Sequence, residues 1–242
     1  MRRASSALLG MLVAALLLWG VIGVAPSSPA AAPRLPAPAP SSGPSSSTPP
    51  ADVLERLAEI PELVDEQAPE YRRVQFGDGW LDVDGNGCDT RNDILIRDLV
   101  DVVVDDRCRV LSGTLNDPYT GVAIAFVRGP QSSQEVQIDH ILPLAIAWRG
   151  GAWRWSSAAR EAFANDPLEL AAVSGTANAQ KGAKSISQWT PPAAAFQCNY
   201  AAAYVDIAHR YQIALSSADK AAAATTLASC GDLASDTGGT NS

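Results

Sequence analysis

Asp139-His140-Ile141-Leu142-Pro143-Leu144, followed by Phe163-Ala164-Asn165-Asp166-Pro167 and then by Asn178-Ala179-Gln180-Lys181-Gly182, is the stretch on which the reading of this chain turns. Residues 135–140 have strand character, Ser156 or Ser157 offers an N-cap to a helix over 158–164, residues 168–173 suit a second strand, and 176–184 a short helix. The predicted order is strand, insertion, strand, helix. The whole chain has only two histidines, and His140 stands beside a carboxylate, upstream of an Asn-x-x-Lys-Gly turn. Adjacent residues on a regular strand point to opposite faces. Asp139 and His140 can therefore share one site only where the strand ends, twists or bulges, and Pro143 just downstream favours such a break.

Outward from this stretch, the runs 99–104, 107–115 and 122–127 are rich in β-branched residues. They are separated by Asp105-Asp106 and by Asn116-Asp117-Pro118-Tyr119-Thr120-Gly121, which supply turn chemistry. These predict a three-stranded antiparallel meander. A short acidic helix is expected over 52–63, broken near Pro61, and then a Gly- and Asp-rich loop over 77–89. Beyond Trp189-Thr190-Pro191-Pro192 the chain turns Ala-rich, and helices are expected over 193–215 and 218–230, the second capped by Ser216 or Ser217. The fold class is α+β: a β-meander, the inserted strand-strand-helix unit, and C-terminal helices.

The ends carry different information. Arg2 and Arg3, the apolar run 7–24 and the small, Pro-rich residues 25–32 follow the order of a secretory signal. The apolar run also approaches the ~20 residues that span a bilayer, so an N-terminal anchor is the alternative. Residues 33–51 are almost all Pro, Ala, Ser and Gly, too poor in large apolar groups to offset chain entropy, and read as a linker. One domain is expected over 52–230, with a loose polar tail over 231–242. Cys88, Cys108, Cys198 and Cys230 are even in number in a chain with an export signal and show no C-x-x-C spacing, so disulfides are favoured over zinc. Of three pairings, Cys88 with Cys108 and Cys198 with Cys230 are the local ones, each closing a loop for roughly 3 kcal/mol.

The strand, insertion, strand, helix order resembles the HNH motif of the ββα-metal nucleases. More closely it resembles the domain shared with the C-terminal region of GmrSD-type restriction enzymes, as found in small secreted proteins. The resemblance extends to Gly77-Asp78-Gly79-Trp80, to Asp84-Gly85-Asn86-Gly87-Cys88-Asp89-Thr90-Arg91 and to Gly113-Thr114-Leu115. It implies His140 as general base, Asp139 and Asn178 as ligands of one divalent cation, and Asn165 as a third ligand or a group orienting the base. Lys181, one turn beyond Asn178, is then expected to meet phosphate oxygens. Where relatives usually read Asn-Leu at the start of the second strand, this chain has Glu169-Leu170.

The chemistry is coherent. Phosphodiester hydrolysis needs an activated nucleophile and charge neutralisation at the phosphoryl group, which a neutral imidazole and a divalent ion supply. Oxygen ligands suit Mg²⁺, Ca²⁺ or Mn²⁺ better than zinc. The resemblance therefore implies a secreted endonuclease of DNA, with RNA as an alternative substrate; a monomer without a stable protein partner is expected.

Charge opposes this mildly, because the formal net charge is -8 and a like-charged polymer is repelled at long range. Arg149, Arg154, Arg160, Lys181 and Lys184 lie near the motif in sequence, and Arg91, Arg149 and Arg160 are the candidates to face substrate phosphate. Trp148, Trp153, Trp155 and Trp189 fall in the same region, as core residues or as base-stacking platforms.

A second metal-like pattern, Asp82, Asp84, Asn86 and Asp93 with Gly at the sixth position, has calcium-loop spacing; an ion-free turn is the alternative. It supports a competing class, a non-enzymatic, calcium-stabilised exported binding protein on the same scaffold.

Overall fold

The β-branched runs pair with their sequence neighbours. In the computed structural model, β1 (Leu99–Val104), β2 (Val110–Asn116) and β3 (Ala123–Val127) form an antiparallel meander in the order β1-β2-β3. Leu99 stands opposite Leu115 and Leu115 opposite Ile124; the β1–β2 register shifts on either side of Val103. The described residues are 50–64, 68–130 and 132–236, and all lie in one compact unit. The export signal or anchor over 1–32 and residues 33–49 of the expected linker lie outside them, while its last two residues, 50 and 51, are helical.

A second sheet is the antiparallel pair β4 (Val136–His140) and β5 (Leu170–Ser174), followed directly by α5 (Gly175–Lys181). Between the strands the chain makes α3 (Leu144–Arg149) and α4 (Ser157–Ala164), the latter capped by Ser156 accepting from the Ala159 N–H. The remaining helices are α1 (Pro50–Glu59), α2 (Thr90–Asp98), α6 (Ala194–Arg210) and α7 (Ser217–Asp236).

Every residue of β5 is buried because both faces of this small sheet are covered. On one face Val136, Ile138, Leu170 and Ala172 join Ile94, Leu95, Leu115 and Phe126, from α2 and the meander. On the other, Ala171 and Val173 join a larger core with Phe163, Tyr200, Tyr204 and Val205. Polar side chains of α2 also satisfy the edge of β5: Ala172 N–H donates to Asp98 Oδ2 at 2.8 Å, and Arg97 donates to the Leu170 and Pro167 carbonyls, both at 2.7 Å. That covering blocks further strand pairing.

Both local disulfides form, Cys88 to Cys108 and Cys198 to Cys230, with Cα separations of 5.2 and 5.8 Å. The first ties the Asp-rich loop to the β1–β2 turn, and the second ties α6 to α7. α1 packs Val53 and Leu57 into the core, and Ile60 follows just beyond its end. The helix is fixed to α6 by Arg56 to Asp206 and His209 to Glu59, both at 2.7 Å.

The sequence reading is corrected at three places. α2, absent from it, begins at Thr90 directly after the expected loop over 77–89, because Asp89 caps it by accepting from the Asn92 N–H at 2.8 Å. α3, absent from the sequence reading, starts straight after Pro143. The loose tail does not begin at 231, since the α7 backbone runs to Asp236; residues 237–242 lie outside the described residues.

The entry to α5 is set by Gly175, where an added Cβ would sit 2.0 Å from the Gln134 carbonyl oxygen. Gly175→Ala is therefore expected to destabilise the fold by about 1–3 kcal/mol, the usual cost of overpacking. Chemical denaturation of the two proteins would show it as an earlier midpoint with an unchanged slope.

Candidate active site

β4 ends at His140, and that ending solves the problem of opposite faces. The β4–β5 register is regular, with Asp139 opposite Ala171 and His140 opposite Leu170, so no bulge brings the two side chains together. Both instead border a cleft of about 260 Å³ at the end of the strand, together with Tyr71, Arg73, Asn178 and Gly182.

His140 is half-buried, and its Nε2 lies 2.9 Å from the Ala164 carbonyl oxygen. A carbonyl only accepts, so Nε2 carries the ring proton and Nδ1 keeps its lone pair. The Trp80 ring stacks on the imidazole at 6.0 Å and 12°. Burial lowers the His140 pKa to about 3; the Ala164 carbonyl opposes this, while the charges of Arg73 and Lys181 add to it. With no carboxylate paired to the ring, imidazole is neutral at physiological pH.

Asp139 is almost fully buried, and its Oδ2 accepts from Tyr119 Oη at 2.5 Å and from Lys181 Nζ at 2.7 Å. The same ammonium donates to the His140 carbonyl at 2.6 Å. Oδ1 makes no hydrogen bond among the described residues. Asn178 is half-buried on α5, and its Nδ2 donates to Gln137 Oε1 at 2.9 Å, leaving Oδ1 as a free acceptor.

Residues 89–223 match the sequence profile of the family "GmrSD restriction endonucleases, C-terminal domain". The chain belongs to that family. A secreted protein of Arthroderma benhamiae is 33% identical over 168 residues, covering 68% of this chain and 78% of its own. No solved structure matches the chain.

Within this GmrSD C-terminal-type domain, several of the expected site residues lie elsewhere. Lys181 does not meet the cleft as a phosphate ligand: it is fully buried, because its ammonium is held by Asp139 and the β4 backbone. Asn165 is also buried and its amide is consumed, Oδ1 accepting from the Leu81 N–H and Nδ2 donating to the Glu161 carbonyl, so it is not a third ligand. Its neighbour Ala164 holds the His140 imidazole instead. Arg91 reaches the Val136 and Ser133 carbonyls, and Arg160 the Gln75 and Trp155 carbonyls. Both therefore brace backbone. Arg149 is exposed at the end of α3 and does not border the cleft.

The four tryptophans near the motif do not border it either. Trp148 is buried and donates to the Pro69 carbonyl, while Trp153, Trp155 and Trp189 pack against the main core. In the acidic loop, Asp82 accepts from the Asn86 and Gly87 N–H groups, and the Asn86 amide bridges Asp84 and Asp93. Among the described residues no group of three His, Cys, Asp or Glu side chains is gathered at metal-binding spacing.

The residues that sequence reasoning missed are Arg73, Tyr71 and Trp80. Arg73 is exposed beside the cleft, with one guanidinium nitrogen donating to the Gly77 carbonyl at 3.2 Å. It comes from a short 3-10 helix at Arg73–Phe76 with no local pattern to mark it. Trp80 was in plain view inside the Gly77-Asp78-Gly79-Trp80 match.

Glu169 is fully buried; one oxygen accepts from the Leu142 N–H at 3.4 Å and the other has no partner. Burial raises its pKa well above 4.5, with Asp139 and Asp166 adding to the rise and Lys181 and the Leu142 N–H opposing it. The folded chain thus keeps a proton that the unfolded chain loses. The stability linked to this proton is complete below pH about 4.5 and declines as pH rises towards the raised folded value. Glu169→Gln should remove that decline, so its melting temperature relative to the parent should rise between pH 4 and pH 7. Thermal melts of both proteins at the two pH values are the check; a constant difference would show that Glu169 is ionised in the fold.

Proposed function

We propose that this domain is a secreted, metal-dependent phosphodiesterase of the HNH type that cleaves DNA, with RNA as an alternative substrate. One observation carries the reading: a neutral imidazole with a fixed tautomer borders the same cleft as the free oxygens of Asp139 and Asn178 and the guanidinium of Arg73. Membership of a nuclease family supports a nucleic-acid substrate.

His140 Nδ1 takes the proton from the attacking water, and the Ala164 carbonyl keeps the ring from rotating away. Arg73 meets a non-bridging phosphate oxygen with guanidinium nitrogens not committed to Gly77. Lys181 and Tyr119 hold one oxygen of Asp139, which leaves the other available to a cation. Asp139 and Asn178 would hold such an ion through two side-chain oxygens, a donor type that suits Mg²⁺, Ca²⁺ or Mn²⁺. When bound, such an ion neutralises phosphoryl charge and eases departure of the alkoxide. The positive groups act locally, which reconciles substrate binding with a net charge of -8.

Export is proposed from the signal-like residues 1–32 and from a relative described as secreted. No helix among the described residues is long and apolar enough to cross a membrane. We propose a monomer. The competing reading, a calcium-stabilised binding protein, draws on the Asp82 turn, whose carboxylate accepts two backbone N–H groups.

Plasmid digestion by the purified protein tests the enzyme directly. Nicking should vanish with chelator, and fall by about 10² to 10⁴ in His140→Ala, the usual worth of a general base. Arg73→Ala should lose roughly 10²-fold in kcat, as for removal of one stabilising donor. Nicking that survives both chelator and His140→Ala would refute the mechanism; chelator that lowers the melting temperature of a protein without nuclease activity would favour the calcium-stabilised alternative.

A further inference from the structure

The amide of Asn178 has two ends of nearly equal size, and only the oxygen can ligate a cation. Sterics do not choose between them, because rotation by half a turn exchanges oxygen for NH₂ in the same volume. What chooses is the hydrogen bond to Gln137, whose Oε1 lies 2.9 Å from Asn178 Nδ2. Gln137 sits on β4 two residues before Asp139, so the period of the strand places both on one face. The two amides also separate two depressions: Asn178 borders the cleft with His140, and Gln137 borders a neighbouring groove with Gln134, Thr176 and Gln180.

We propose that Gln137 is a positioning residue for the cation site: by accepting from Asn178 Nδ2, it holds the Asn178 oxygen towards the cleft beside Asp139. This rests on the metal-dependent reading above. The reverse pairing, with Gln137 donating, turns two N–H groups towards the cation and repels it. A residue at 137 that only accepts therefore preserves the site, and one that neither accepts nor donates releases the amide to rotate.

The test uses the full-length protein and Mn²⁺ alone, with free and bound ion separated by electron paramagnetic resonance. Gln137→Met should weaken Mn²⁺ binding by about 10- to 100-fold, the range for residues that orient a ligand, while Gln137→Glu should bind at least as tightly as the parent. In an Asn178→Ala chain the two substitutions at 137 should become equivalent, which separates positioning of the amide from the added charge of Glu. Gln137→Ala repeats the first arm should the Met variant fold poorly, and melting curves report folding in each case.

Equal Mn²⁺ affinity in the parent and in Gln137→Met, with Asn178→Ala weakened, overturns this proposal and leaves the metal site standing. A Gln137→Glu chain as weak as Gln137→Met also overturns it. A parent that binds no Mn²⁺ overturns the metal reading itself, and this proposal with it.

Discussion

One buried ammonium organises the candidate site. Lys181, at the last position of α5, gives one hydrogen bond to the Asp139 carboxylate and one to the His140 carbonyl, both on β4. The carboxylate is closed from the other side by Tyr119 Oη, on the β2–β3 turn. That turn is itself built by Asp117, which accepts from the backbone N–H groups of Tyr119, Thr120 and, across the fold, Ser174. Meander, strand and helix therefore converge on one carboxylate. Burying an ion pair is not in itself stabilising, since lost hydration offsets most of the attraction. Its return here is orientation: Asp139 has one occupied oxygen and one free one, and the strand end bearing His140 cannot slide.

The His140 imidazole is fixed by a different device. Ala164 lies at the end of α4, where carbonyls lack partners within the helix, and its carbonyl accepts the hydrogen bond from His140 Nε2–H. An ordinary structural deficit thus becomes a tautomer selector. A carboxylate in that place would have raised the affinity of the ring for a second proton. A carbonyl orients without adding charge, and the stacked Trp80 ring completes the restraint.

Much of this was legible in the sequence, for identifiable reasons. The meander, β4, β5 and the long helices follow from β-branched runs, Asx and Pro turns and Ser caps, and both disulfides follow from proximity. α2 was hidden because it begins inside a loop rich in Asp and Gly, with a capping Asp that equally suits a turn. α3 was hidden because six residues give too short a period. Asp139, His140 and Asn178 do share one cleft, since chemistry of that kind leaves a local pattern. The directions of Lys181, Arg91 and Arg160 do not, because a cation reads the same in sequence whether it meets a phosphate or a backbone carbonyl. Asn178 and Lys181 are three residues apart on α5, yet one borders the cleft and the other fills the core: the next shell inward already holds a carboxylate needing a partner.

Glu169 shows how the charge balance constrains substitution. Two carboxyl groups and one ammonium are buried at this site, and of the two carboxyls it is Asp139 that the ammonium contacts. Asp139 also accepts from a phenol, whereas Glu169 has a single long contact from the Leu142 N–H and burial favours its protonated form. A protonated carboxyl presents a carbonyl acceptor and one O–H donor. Glu169 therefore counts as a charge in the sequence but not in the folded site. The buried site gives its one ammonium to Asp139 rather than to Glu169. An acid whose proton could leave easily would compete for Lys181, draw it from Asp139 and loosen the strand end that carries the base.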